Sequence, residues 1–125
     1  MFSIKLATPE QIPEAELYLD KKIKGLVMLL YEQKLTGAVE FNIAPGGGFI
    51  EALKTDSEEM QYVTLASALN FLDLHGIRYV YINLKEYEKL CERMKFVPCD
   101  EGPVPKKDGY LAKVDLKGYF THEHE

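Results

Sequence analysis

Residues 49–83 read as strand, helix, strand, and that triplet constrains the fold more than any other feature of the chain. Phe49 to Thr55 is of strand length and follows the turn Ala44-Pro45-Gly46-Gly47-Gly48. Met60, Val63, Leu65, Ala66, Leu69 and Leu72 then recur at spacings near three and four, the apolar face of a helix. Gly76 stands where a left-handed C-cap belongs, with Ile77 as its apolar partner. Arg78-Tyr79-Val80-Tyr81-Ile82-Asn83 is a strongly β-prone strand. Strand, helix, strand in this order implies a right-handed crossover and a parallel pair. Tyr79 and Tyr81 alternate with Val80 and Ile82, so this strand is expected to be central and covered on both faces.

The flanking segments complete an α/β (α+β) pattern. Ile4 to Ala7 reads as a first strand. Thr8-Pro9-Glu10-Gln11 reads as a helix start, with Thr as N-cap, Pro at the first position and Gln closing a capping box. The helix is expected to end near Lys22 to Gly25, its lysines suiting the negative end of the dipole. Leu26 to Tyr31 is a second strand. Thr36 to Ile43 alternates as a half-buried third, with Val39, Phe41 and Ile43 on one face and Glu40 and Asn42 on the other. These two and Phe49–Thr55 form an antiparallel meander. Lys85 to Met94 reads as a short charged helix, Phe96 to Cys99 as a strand, Asp100 to Gly109 as a loop, and Tyr110 to Leu116 as a final strand. The sum is a mixed, mostly antiparallel sheet of six to seven strands flanked by about three helices.

At 125 residues the chain has room for one domain, 1–125, with a frayed tail from Thr121. Fifteen basic and 20 acidic residues give a net charge of −5. Nucleic acid and anionic membrane both need clustered positive charge, so neither is an expected partner. No apolar run approaches the ~20 residues of a bilayer span, and Met1-Phe2-Ser3-Ile4-Lys5 does not open a signal peptide. A cytoplasmic location is expected. Cys91 and Cys99 are too few for a disulfide scaffold or a cysteine-rich zinc site.

The order strand–helix–three antiparallel strands–helix–strand–helix–strand–strand resembles the GNAT superfamily of N-acetyltransferases. Lys5-Leu6-Ala7-Thr8-Pro9-Glu10-Gln11-Ile12-Pro13 looks like its opening strand and helix. Thr36 to Phe41 and Phe49 to Leu53 look like its third and fourth strands. Ala68 to Leu72, running through Gly76 to Ile82, looks like its main helix and fifth strand, and Phe96-Val97-Pro98 like the end of its motif B. The resemblance implies acetyl-CoA as cofactor and a small amine or peptide N-terminus as acceptor.

The chain departs from that pattern in three places. GNAT enzymes carry Q/R-x-x-G-x-G/A before the main helix, where glycines let backbone N–H groups and the helix N-terminus receive pyrophosphate. The corresponding Asp56-Ser57-Glu58-Glu59-Met60-Gln61 has no glycine and three carboxylates. Thr55 with Glu58, or Asp56 with Glu59, is expected to cap the helix instead. Residues 51–60 hold four acids (Glu51, Asp56, Glu58, Glu59) and one base (Lys54), a net of −3 beside the place a polyanion would take. In Y-x-x-x-G-F, aligned on Phe96, the family's Tyr falls on Cys91 and its Gly on Lys95, with Tyr87 one helical turn earlier. The region between the first two strands has room for about one helix, where the family commonly has two.

Under the resemblance, Glu51 is a candidate base and Tyr87 a candidate acid, and the backbone at Leu53, Lys54 and Thr55 a candidate oxyanion and cofactor contact. Each also reads plainly: Glu51 as a solvated or paired strand carboxylate, Tyr87 as a half-buried helix tyrosine. Cys91 is a nucleophile only if something lowers its pKa, and otherwise a buried thiol. His122 and His124 lack the further ligands of a metal site. His75 suits the helix end. Pro45-Gly46-Gly47-Gly48 lacks the Lys-Ser/Thr of a P-loop and reads as a hairpin turn. Lys106-Lys107 reads as a solvated pair.

Two functions follow. The first is a non-catalytic GNAT-like binding or interaction domain with no cofactor, taking a protein, a small molecule in the cleft of the splayed fourth and fifth strands, or a second copy. The second is an N-acetyltransferase using acetyl-CoA.

Overall fold

The computed structural model describes residues 1–120. Seven strands are hydrogen-bonded in the order β1-β2-β3-β4-β5-β7-β6. They are β1 (Ser3–Leu6), β2 (Leu26–Glu32), β3 (Lys34–Ala44), β4 (Gly47–Thr55), β5 (Tyr79–Ile82), β6 (Val97–Pro98) and β7 (Ala112–Asp115). Three α-helices accompany them: α1 (Ile12–Leu19), α2 (Glu59–Leu74) and α3 (Glu88–Arg93). Single 3-10 turns, Pro9–Gln11 and Lys85–Tyr87, lead into α1 and α3. The pairs β1/β2, β2/β3, β5/β7 and β6/β7 are antiparallel. This is the mixed, mostly antiparallel sheet with three helices that the pattern predicts. Among the described residues no helix is long and apolar enough to cross a membrane. The tail residues His122 and His124 lie outside the described residues.

The chain divides into two compact units, Met1–Asn42 with Ile50–Ala68, and Ile43–Phe49 with Leu69 onward. In the first, β1 pairs with β2 from Ser3↔Tyr31 to Leu6↔Met28, and β2 with β3 from Leu26↔Phe41 to Glu32↔Lys34. Gln33, at φ +72°, makes the turn between them. Ala15 of α1 packs into a core with Val27, Leu29, Leu35 and Ala38. The Thr8 N–H donates to Gln11 Oε1 at 2.9 Å, as the capping box requires. Gln11 Nε2 then donates to the Tyr31 hydroxyl, which donates to Glu14, so the helix start is tied to β2. Burial foremost, then the Glu14 carboxylate, raises the Tyr31 phenol above its ordinary pKa.

Two expectations for this unit are corrected. Helix α1 ends at Leu19, short of Lys22, because Asp20 turns left-handed (φ +57°) and its N–H bonds to the Glu16 carbonyl. The lysines thus lie past the helix end. Strand β3 is buried on both faces from Leu35 to Phe41, while Ile43, expected inside, is 48% exposed. Its alternation marks a half-buried strand only if nothing covers the polar face, and the α1–β2 connection covers it.

In the second unit, α2 ends as predicted at Gly76 (φ +80°). The Ile77 N–H reaches the Leu72 carbonyl and the Gly76 N–H that of Asp73, satisfying carbonyls that the helix itself leaves open. The His75 ring bonds the Phe71 carbonyl at 2.8 Å and stacks on the Phe71 ring. Val80, Tyr81 and Ile82 are all buried, as a covered strand should be. β5 pairs with β7 from Tyr79↔Asp115 to Ile82↔Ala112, closed by an Arg78–Asp115 ion pair with two bonds of 3.1 Å.

Candidate functional site

The start of α2 is built from the end of β4. The Asp56 N–H is held by the Thr36 carbonyl of β3 at 2.8 Å, which carries the ladder one residue past Thr55. Thr55 Oγ1 donates to the Ser57 carbonyl at 2.6 Å. The turn closes through the backbone, Met60 N–H to Ser57 O at 3.2 Å and Gln61 N–H to Glu58 O at 3.1 Å. Thr55 is therefore a donor here rather than the accepting cap predicted for it. The Asp56 carboxylate accepts from the Tyr18 hydroxyl at 2.8 Å and stands 3.7 Å from Lys34 Nζ. Lys54, the nearest base in sequence, points away to the Tyr18 carbonyl at 2.9 Å and lies over the Tyr18 ring.

A pyrophosphate needs free N–H groups converging on it and a positive field. Here the N–H groups of Asp56, Met60 and Gln61 are already engaged, and Asp56, Glu58 and Glu59 are exposed carboxylates.

The sequence-predicted site residues divide between the two units. Glu51, Leu53, Lys54 and Thr55 lie on β4 in the first; Leu53 is buried and Glu51 half-buried. Tyr87 and Cys91 lie in the second, at the end of the 3-10 turn and in α3. Burial, followed by Glu86, raises the Tyr87 phenol. Cys91 is fully buried, and burial pushes its thiol up to about 11 despite a hydrogen bond from Tyr110. At neutral pH it is a thiol, not a thiolate. Among the described residues no group of three or more His, Cys, Asp or Glu is placed to hold a metal ion.

Glu40 is the residue that sequence reasoning missed. Its side chain has no solvent exposure. It pairs with Lys21 and accepts the N–H groups of Lys24 at 2.7 Å and Gly25 at 3.0 Å. A buried carboxylate persists only when its charge and lone pairs are met in this way. The one available signal was the cluster of Lys21, Lys22 and Lys24 ahead of Gly25, which reads as a helix end unless the helix stops early.

No protein-family model and no curated protein sequence matches the chain. Solved structures do. The chain is similar to N-acetylglutamate synthase from Neisseria gonorrhoeae, solved with coenzyme A and N-acetyl-glutamate (TM-score 0.78, 13% identity, 93% of this chain). It spans 35% of that longer chain. It is similar to the ribosomal-protein-S18-alanine N-acetyltransferase from Escherichia coli (TM-score 0.73, 12% identity, 93% of this chain and 94% of that one). It is also similar to a GNAT-family acetyltransferase from Staphylococcus aureus Mu50 (TM-score 0.70, 11% identity, 93% and 99%). At such identities the likeness is one of fold: the chain has the GNAT fold.

Proposed function

We propose that this GNAT-fold chain is a non-catalytic binding or interaction domain, with a protein, a small molecule or a second copy of itself as partner. The observation that carries this reading is the start of α2. Its N–H groups at Asp56, Met60 and Gln61 are engaged and its exposed side chains are acidic. The three engaged donors and the repulsive charge oppose a polyanionic cofactor on separate physical grounds.

The second reading is an N-acetyltransferase, and the alignment of 93% of the chain with acetyltransferases favours it. Fold alone does not carry chemistry. In that reading Glu51 of β4 is the base. A half-buried carboxylate can serve as one when an amine comes within hydrogen-bond reach.

One titration separates the two. At a concentration about 100 times Kd, a ligand adds ~2.7 kcal/mol to stability, which raises the melting temperature of a domain this size by several degrees. Millimolar acetyl-CoA is expected to leave the melting temperature unchanged. A rise of several degrees removes the premise of the non-catalytic reading and supports the second.

A further inference from the structure

We propose that the second unit binds a small zwitterion of free α-amino-acid size, in a cavity between the Lys85–Glu88 turn and the strap from Cys99 to Leu111. The cavity measures about 310 Å³, at the lower end of the ~300–1,000 Å³ usual for ligand pockets. That size accommodates an amino acid.

Charge chooses the class of ligand. Two cations and two anions line the cavity in two local pairs, Lys85 with Glu88 at 3.9 Å and Lys106 with Asp100 at 2.7 Å. A phosphate or other dianion would meet Glu88 and Asp100 as well as the lysines. A bare cation would meet both lysines. A molecule carrying one ammonium and one carboxylate finds a partner for each. The 3.9 Å pair is long and partly exposed, so its members lose little by turning to a ligand. Tyr110 forms a buried wall of the cavity.

The walls are fixed in advance. The Cys99 N–H bonds the Leu111 carbonyl at 2.9 Å, and Lys107 and Tyr110 exchange backbone bonds of 3.0 and 2.9 Å. Asn83 Nδ2 holds the Pro105 carbonyl at 2.9 Å. Gly102 lies against the Tyr81 ring so closely that a Cβ there would come within 2.7 Å of it. A strap anchored at these points holds the backbone of the cavity wall in place before a ligand arrives.

The test uses the isotope-labelled full chain and each of the common L-α-amino acids in turn at millimolar concentration. Amide shifts are followed at 85–88, 98–100 and 106–111. At least one free amino acid is expected to shift these amides saturably. Its methyl ester, which keeps only the ammonium, and its N-acetyl form, which keeps only the carboxylate, are expected not to. Glu88→Gln and Lys106→Gln are each expected to weaken binding tenfold or more while leaving distant amides in place. The proposal is overturned if no amino acid gives a saturable shift. Binding of the ester or of inorganic phosphate as tight as that of the free amino acid also overturns it, as does unchanged affinity in both variants. No probe contains coenzyme A, so this result is independent of the acetyl-CoA titration.

Discussion

Lys95 occupies at the end of α3 the position that Gly76 occupies at the end of α2. Both are left-handed, at φ +74° and +80°. Both donate to the carbonyl three residues back (Glu92, Asp73), and the next N–H reaches back five (Phe96 to Cys91, Ile77 to Leu72). The two helices thus end in one motif, with glycine in one and lysine in the other. A side chain in that conformation costs ~1–2 kcal/mol.

Lys95→Gly should therefore stabilise the fold, by about 1 kcal/mol after the extra entropy of an unfolded glycine is discounted. Gly76→Ala should destabilise it by a similar ~1 kcal/mol. A Cβ at Gly76 meets nothing within 4 Å, so that cost is torsional alone. Urea unfolding of the two variants checks both signs. A neutral or destabilising Lys95→Gly would contradict the assignment.

Glu40 invites the largest stability effect. Removing its carboxylate strands Lys21 and the N–H groups of Lys24 and Gly25. Glu40→Ala should cost about 3 kcal/mol or more. Glu32→Ala, at an exposed position of the neighbouring strand, should stay within ~0.5 kcal/mol. Equal effects in denaturant melts would mean that Glu40 is solvated after all.

Thr64 carries a buried hydroxyl with no hydrogen-bond partner among the described residues. Thr64→Val should raise stability by about 1 kcal/mol, because an unmet buried polar group is removed at nearly constant shape. The reverse holds opposite it on β3. A Cβ at Gly37 would come within 2.7 Å of Thr64 Oγ1, so Gly37→Ala should destabilise by ~1–3 kcal/mol. Calorimetry of both variants tests the pair.

The two cysteines should react differently. At pH 7.5 a thiol reagent should label Cys99 in the native protein and reach Cys91 only on unfolding, since Cys91 is buried and its pKa is pushed up to about 11. Rapid labelling of a Cys99→Ser variant would contradict this. The pH dependence has a definite sign. The folded pKa lies above the ordinary 9.0, so ionisation is easier in the unfolded chain. The stabilisation is whole below about 9 and is lost as pH rises towards 11.

Local rules were legible where the chain carries its own punctuation. Gly76 with Ile77, the Thr8–Gln11 box, and the alternation of Tyr79, Val80, Tyr81 and Ile82 each encode a local outcome that neighbours do not alter. The order of those elements was enough to reach the GNAT fold. The acidity of Asp56, Glu58 and Glu59 was visible too. Its structural complement was not: the donor at Asp56 is engaged by Thr36 of β3, 20 residues away in sequence.

Sequence by itself determined the elements, their order and the sign of the charge at the start of α2. Those follow from periodicity, capping chemistry and composition, all short-range properties. Tertiary structure decided which polar groups meet. Glu40 is buried because the chain between α1 and β2 supplies an ammonium and two N–H donors to it. Lys85, Glu88, Asp100 and Lys106 line one cavity because β7 carries the strap back past α3. Periodicity tells a solvated carboxylate from a buried one only by the company of its neighbours, and for Glu40 the company that mattered came from a distant part of the chain.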